Sequence, residues 1–187
     1  MSKTDWRNLS IKEFAGIISS HLKDNNIDAV LVGGACVSIY SENEYLSHDL
    51  DYSSYNNIAK EIRPCLESIG FLQTAPNRFE NKKCEFYIEF VTTPISLGSE
   101  SPVTRFNEID TGIGKITLLT PADCVKDRLS AYYHWHDPQS LDQALMVAKN
   151  QKINLKEIEI WSKKEKKLNE FKNFKEAYES DQQYAQE

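Results

Sequence analysis

Two features with fourteen residues between them constrain this chain more than anything else in it. One is the pair Gly33-Gly34, which closes the apolar run Asp28-Ala-Val-Leu-Val32; the other is the alternating stretch Asp49-Leu50-Asp51. The apolar run has strand length and stops at the glycines, which predicts a buried strand. Glycine permits positive φ and lets other groups approach the main chain closely. A short helix is expected from there through Tyr40. Ser47–Ser53 (SHDLDYS) reads as a second strand, and its period of two puts Asp49 and Asp51 on one face and Leu50 on the other.

The rest of the chain fits an α+β domain. Ser10 and Glu13 form a capping-box pattern, followed by Ile11, Phe14, Ala15, Ile18 and Leu22 on one helical face. Asn56 to Ile69 predicts a helix stopped by Gly70. Short strands are expected at 71–74 and 78–80, a clear strand at Cys84–Val91, a loop over 95–112 and a strand over Gly114–Leu119. From Thr120 the pattern is helical, with Thr120, Asp137 and Asn154 as caps and Pro121 and Pro138 at first helical positions. The expected architecture is a mixed sheet flanked by helices. Residues 1–119 would form its core and residues 120–187 a C-terminal helical part packed on that core.

Composition narrows the function classes. A net charge of −6 argues against a dedicated duplex-binding surface. Cys36, Cys65, Cys84 and Cys124 have no paired spacing, so they read as reduced, mostly buried side chains rather than disulfides or a zinc site. No apolar run approaches a membrane span, and MSKTDWRNLS has no apolar stretch of the secretory kind. The expectation is a cytoplasmic protein.

Two carboxylates on one strand face can share divalent cations, and oxygen donors suit Mg²⁺ or Mn²⁺. A glycine turn entering a helix presents backbone N–H groups to phosphates. Together these parts serve phosphoryl transfer, which needs positioning and charge neutralisation more than covalent chemistry. The stretch Leu31-Val-Gly-Gly-Ala35 followed by Tyr45-Leu-Ser-His-Asp49-Leu-Asp51 resembles the signature of the polymerase β-type nucleotidyltransferase superfamily. The Gly-Gly form, Ser47, and Thr120-Pro-Ala-Asp-Cys-Val-Lys-Asp-Arg-Leu-Ser-Ala131 resemble its abortive-infection toxin branch and uncharacterised bacterial relatives of that branch.

The resemblance implies a nucleotidyltransferase fold and transfer of a nucleoside monophosphate from a Mg²⁺-bound nucleoside triphosphate to an acceptor hydroxyl. The acceptor would be an RNA such as tRNA, a protein or a small molecule such as an antibiotic. Asp49, Asp51 and Glu89 would be the catalytic metal ligands, with Glu85 a weaker candidate for the third acid. Gly33, Gly34 and Ser47 would hold phosphates, together with Lys126 or Arg128. The competing reading is an inactive relative serving as a binding module or as one component of a toxin–antitoxin pair, with a protein partner. His134-Trp-His136 is read as a helix end rather than a metal site, and Lys163-Lys-Glu-Lys-Lys167 as a solvated charge run.

Overall fold

The computed structural model describes residues 4–56 and 58–184. Helix α1 (Ile11–Asp24) opens with the expected capping box: the Ser10 hydroxyl accepts the Glu13 N–H at 3.2 Å, and Glu13 Oε2 accepts the Ser10 N–H at 2.8 Å. Its apolar stripe of Ile11, Phe14, Ala15, Ile18 and Leu22 is buried, and each of the four larger side chains contributes roughly 1.5–3 kcal/mol. Strand β1 (Val30–Val32) runs straight into α2 (Gly33–Tyr40), with no linking loop.

After β2 (Asp49–Ser53), the segment expected to be one helix is a π-helical turn, Ile58–Ile62, followed by α3 (Arg63–Ser68). Pro64 explains the change of winding, because it has no N–H for the regular ladder. Asn57, within the expected helix, lies outside the described residues. Gly70, at φ 90°, ends the element. Strands β3 (Leu72–Ala75), β4 (Arg78–Glu80) and β5 (Tyr87–Val91) follow.

The expected loop over 95–112 is corrected in part. Phe106–Asp110 is a strand, β6, antiparallel to β7 (Lys115–Leu119) with five register pairs. It is one of the two edge strands of the sheet. Phe-Asn-Glu-Ile-Asp carries little apolar signal because edge strands bury little and display charge.

The described strands form a seven-stranded mixed sheet in the order β3-β4-β5-β2-β1-β7-β6. Register fixes its two faces. Leu31, Leu50, Tyr52, Ile88, Ile116 and Leu118 are buried on one side. Helix α1 lies there, with the Ser19 hydroxyl 2.7 Å from the Tyr52 hydroxyl. Asp49, Asp51, Ser53, Tyr87, Glu89, Val30 and Thr117 share the opposite, open face.

Helices α4 (Pro121–Trp135), α5 (Pro138–Asn150), α6 (Leu155–Lys164) and α7 (Leu168–Tyr184) complete the chain. Thr120, Asp137 and Asn154 cap the first three as expected. Val125, Leu129, Tyr133, Trp161 and Phe174 join the same core cluster as the sheet residues. No helix among the described residues is long and apolar enough to cross a membrane.

Candidate active site

Gly33 sits where β1 becomes α2, at φ +68°, and a Cβ there would lie 2.4 Å from Asp51 Oδ2. Glycine is thus required twice, by the backbone angle and by the carboxylate pressed against the turn. A Cβ on Gly34 would lie 3.0 Å from Ser47 Oγ. Val32, at the N-cap of α2, offers no side-chain acceptor, so no capping side chain occupies the first N–H groups of that helix.

Asp49 and Asp51 project from β2 as expected, and the parallel pairing of β2 with β5 sets Glu89 directly beside Asp51. Carboxylate oxygens of Asp49, Asp51 and Glu89 all lie within 4.8 Å of one another. Glu85 precedes β5, is exposed, and is not part of this group. The Ser47 hydroxyl donates to Asp49 Oδ1 at 2.5 Å, and the Tyr87 hydroxyl donates to Asp49 Oδ2 at 3.3 Å. Ser47 thus orients Asp49, and its own backbone N–H is taken by Ser38 Oγ at 2.9 Å.

Asp51 bears the electrostatic load of this arrangement. Burial, then the negative charges of Asp49 and Glu89, push its carboxyl up to about 7, while the positive charge of Arg128 acts in the opposite sense. Three carboxylates with one held this far above its ordinary range form a donor set that a hard divalent cation would relieve, so the residues present fit Mg²⁺ or Mn²⁺.

The two candidate phosphate cations part company. Arg128 of α4 reaches the field of Asp51, donating meanwhile to Asp127 Oδ2 at 2.5 Å and Gln143 Oε1 at 3.2 Å. Lys126 points elsewhere. Its side chain is 2% exposed, and its Nζ is held by Glu157 at 2.9 Å, Asp123 at 3.0 Å and Glu100 at 3.4 Å. On a helix, residues two apart face different ways, which is why only one of the pair is directed to the cleft.

Sequence reasoning missed Arg78. From β4, opposite Glu89, its guanidinium lies 3.7 Å over the Tyr87 ring and 3.8 Å from Glu89 Oε1. Its Nε is 2.5 Å from Glu80 Oε1, yet the N–H is not aligned on that oxygen, so the contact is an ion pair rather than a hydrogen bond. The alternation of Arg78-Phe79-Glu80 shows only that Arg78 and Glu80 share a face; that this face is Glu89's follows from the pairing of β4 with β5. His134 pairs with Glu165 at 3.6 Å, and His136 closes α4 at φ 53°.

The sequence matches no family model and no curated protein. Solved structures share its fold. An antigenic nucleotidyltransferase-like protein from Paracoccidioides brasiliensis superposes with a TM-score of 0.58 at 14% identity, over 74% of each chain. The antibiotic-resistance factor ANT(2'')-Ia gives 0.55 at 12% identity, over 93% of this chain and 97% of that one. The lincosamide antibiotic adenylyltransferase LnuA, solved with lincomycin bound, gives 0.51 at 16%, over 78% of this chain and all of the other. The chain has the α+β nucleotidyltransferase fold.

Proposed function

We propose that this protein is a nucleotidyltransferase that moves a nucleoside monophosphate from a nucleoside triphosphate to an acceptor hydroxyl. The observation that carries this reading is the convergence of Asp49, Asp51 and Glu89 on the open sheet face, against a glycine turn that leads into a helix N-terminus. A mere solvated acidic face would not hold one carboxyl near neutrality by burial among its neighbours.

Asp49, Asp51 and Glu89 would hold Mg²⁺ or Mn²⁺. Bound divalent ions would supply charge neutralisation for the phosphates and lower the acceptor hydroxyl's hold on its proton. The backbone N–H groups after Gly33-Gly34 would take phosphate oxygens, and Ser47 would keep Asp49 in place. Arg128 would offset charge on the departing pyrophosphate, its planar fork matching phosphate oxygens. The acceptor oxygen forms a bond to the α-phosphorus as the bond from that phosphorus to the β-bridging oxygen breaks. Pyrophosphate leaves, and Glu89 would help to take the hydroxyl proton.

Helices 120–187 would close the cleft rather than act as a separate unit. The Gly-Gly form, Ser47 and the 120–131 stretch favour the abortive-infection branch within the superfamily, and acids left largely unpaired favour an enzyme over an inactive binding module.

The test is incubation with each α-³²P-labelled nucleoside triphosphate, Mg²⁺ and total cell extract. Label should enter one acceptor pool with the parent protein and not with Asp51→Asn. Equal labelling by the variant would refute the reading.

A further inference from the structure

The segment joining β5 to β6, residues 92–105, crosses the open sheet face as a strap. Its middle is fastened to the helical part. Leu97 is buried, its carbonyl accepts the Trp161 Nε1–H at 3.0 Å, and the Ser99 N–H donates to Glu165 at 2.7 Å. Glu100 pairs with Lys126 at 3.4 Å and Arg105 with Glu157 at 3.1 Å. Under this strap is a cavity of about 870 Å³. Part of its lining is the open face, including Val30, Ser53 and Thr117, with Ile95 and Val103 from the strap and Phe106 and Tyr55 at the sides; the cavity then continues round the end of the sheet to Ser19, Ser20, Lys23 and Asp24 of α1, on the other face.

The open-face part of the cavity begins two residues from the acidic site. Ser53 follows Asp51 by one pleat repeat, roughly 7 Å along the strand. Its walls also carry Asp24, Asp28, Glu108 and Asp110 against Lys23 and Lys115, and Lys23 is already held by Asp28 at 2.5 Å. The lining therefore has an apolar side and a surplus of negative charge. The volume falls within the range of small-molecule sites, about 300–1,000 Å³. A strap fastened at four points over the open-face part favours a small occupant over a folded RNA or protein surface.

We infer that this cavity is the acceptor pocket, and that its occupant is a small hydroxylated amine with one apolar face. This rests on the proposed nucleotidyl transfer. The amine would face Glu108 and its neighbouring acids, the apolar side would lie on Val30, Ile95 and Phe106, and a hydroxyl would extend past Ser53 toward Asp51 and Glu89.

Binding is measured by calorimetry on the full chain in EDTA, without nucleotide, so that it does not depend on turnover. The probes are the glucosamine disaccharide, neutral cellobiose, and a tRNA mixture. The amino disaccharide should bind, cellobiose should bind at least tenfold more weakly, and tRNA should not compete. Glu108→Lys and Phe106→Ala, both at exposed positions that spare the core, should each weaken the amine by about tenfold or more. No binding of the amine, equal binding of cellobiose, indifference to both substitutions, or displacement by tRNA would each overturn the inference. A parallel melting experiment with Mg²⁺ and nucleoside triphosphate separates the two ideas. Loss of that shift in the parent would defeat the nucleotidyl-transfer reading while leaving amine binding intact, and the reverse pattern would defeat the pocket alone.

Discussion

Asp51 is where the cost of this site is concentrated. Burial and then the charges of Asp49 and Glu89 push its carboxyl up to about 7 in the folded chain, against about 3.9 in an unfolded one. The folded state therefore binds that proton more tightly. Asp51's contribution to stability is complete below about pH 4 and is lost as the pH rises through about 7. Three units correspond to an upper bound of ~4 kcal/mol; partial solvent access reduces this to about 1–2 kcal/mol. Asp51→Asn, nearly isosteric, should thus stabilise the metal-free protein by that amount at pH 8 and by almost nothing at pH 4. Urea denaturation in EDTA at both values measures the difference, and equal stability of parent and variant at pH 8 would show that the acids do not repel one another as argued. Much of this residue-scale picture was legible in advance. The i, i+2 spacing of Asp49 and Asp51 and the phase of Glu89 carry it, because strand alternation is a property of the backbone. Arg78 was not legible, since its place beside Glu89 depends on how β4 pairs with β5, which local sequence does not state.

At the scale of elements, the strap and the first turns of α4 and α6 meet in an ion-pair knot centred on Lys126. Burial alone would lower the affinity of that amine for its proton, but its bonds to Glu157 and Asp123 more than restore it. Asp123 is as deeply buried as Lys126. Removing the cation would strand Asp123, so Lys126→Ala should destabilise the protein by about 3–5 kcal/mol, whereas Glu100→Ala, at the exposed end of the knot, should cost about 1 kcal/mol or less. Denaturant midpoints compare the two, and a mild Lys126→Ala would mean that the strap holds without the knot. The same elements show why the sequence was only partly readable. Capping patterns at Ser10, Thr120, Asp137 and Asn154 located four helix starts because a cap is a local interaction. Strand β6 was hidden because it depends on a partner, β7, for its hydrogen bonds and buries little of its own surface. The destination of Lys126 was hidden for a related reason: Glu100 and Glu157 approach it from 26 and 31 residues away.

For the whole molecule, the question is whether sheet and helices unfold together. The Tyr40 hydroxyl at the end of α2 donates to the Leu119 carbonyl at 2.6 Å, and Gln151 after α5 donates to the Tyr40 carbonyl at 2.9 Å. Residues on both sides of Thr120 belong to one buried cluster. No linker separates them, because Leu119 ends β7 and Pro121 begins α4. A boundary crossed by continuous packing gives neither part a stable surface of its own, so unfolding should be a single cooperative transition. The three tryptophans allow a direct measurement. Trp6 is buried against Phe14 and Phe71 on the sheet side, Trp161 is stacked on Tyr133 in the helical part, and Trp135 is 81% exposed. With Trp135→Phe as background, Trp161→Phe leaves a reporter of the sheet side and Trp6→Phe a reporter of the helices. Each removal shifts stability by its own amount, so both reporters are first followed together in the Trp135→Phe protein, by fluorescence and by far-ultraviolet circular dichroism. In each single-tryptophan protein, the fluorescence midpoint should then coincide with the dichroism midpoint of that same protein. A reporter on one side melting at lower urea than the secondary structure as a whole would mean that the helical part is a separable unit, and the cleft between Asp51 and Arg128 would then lose the rigid frame on which the proposed chemistry depends.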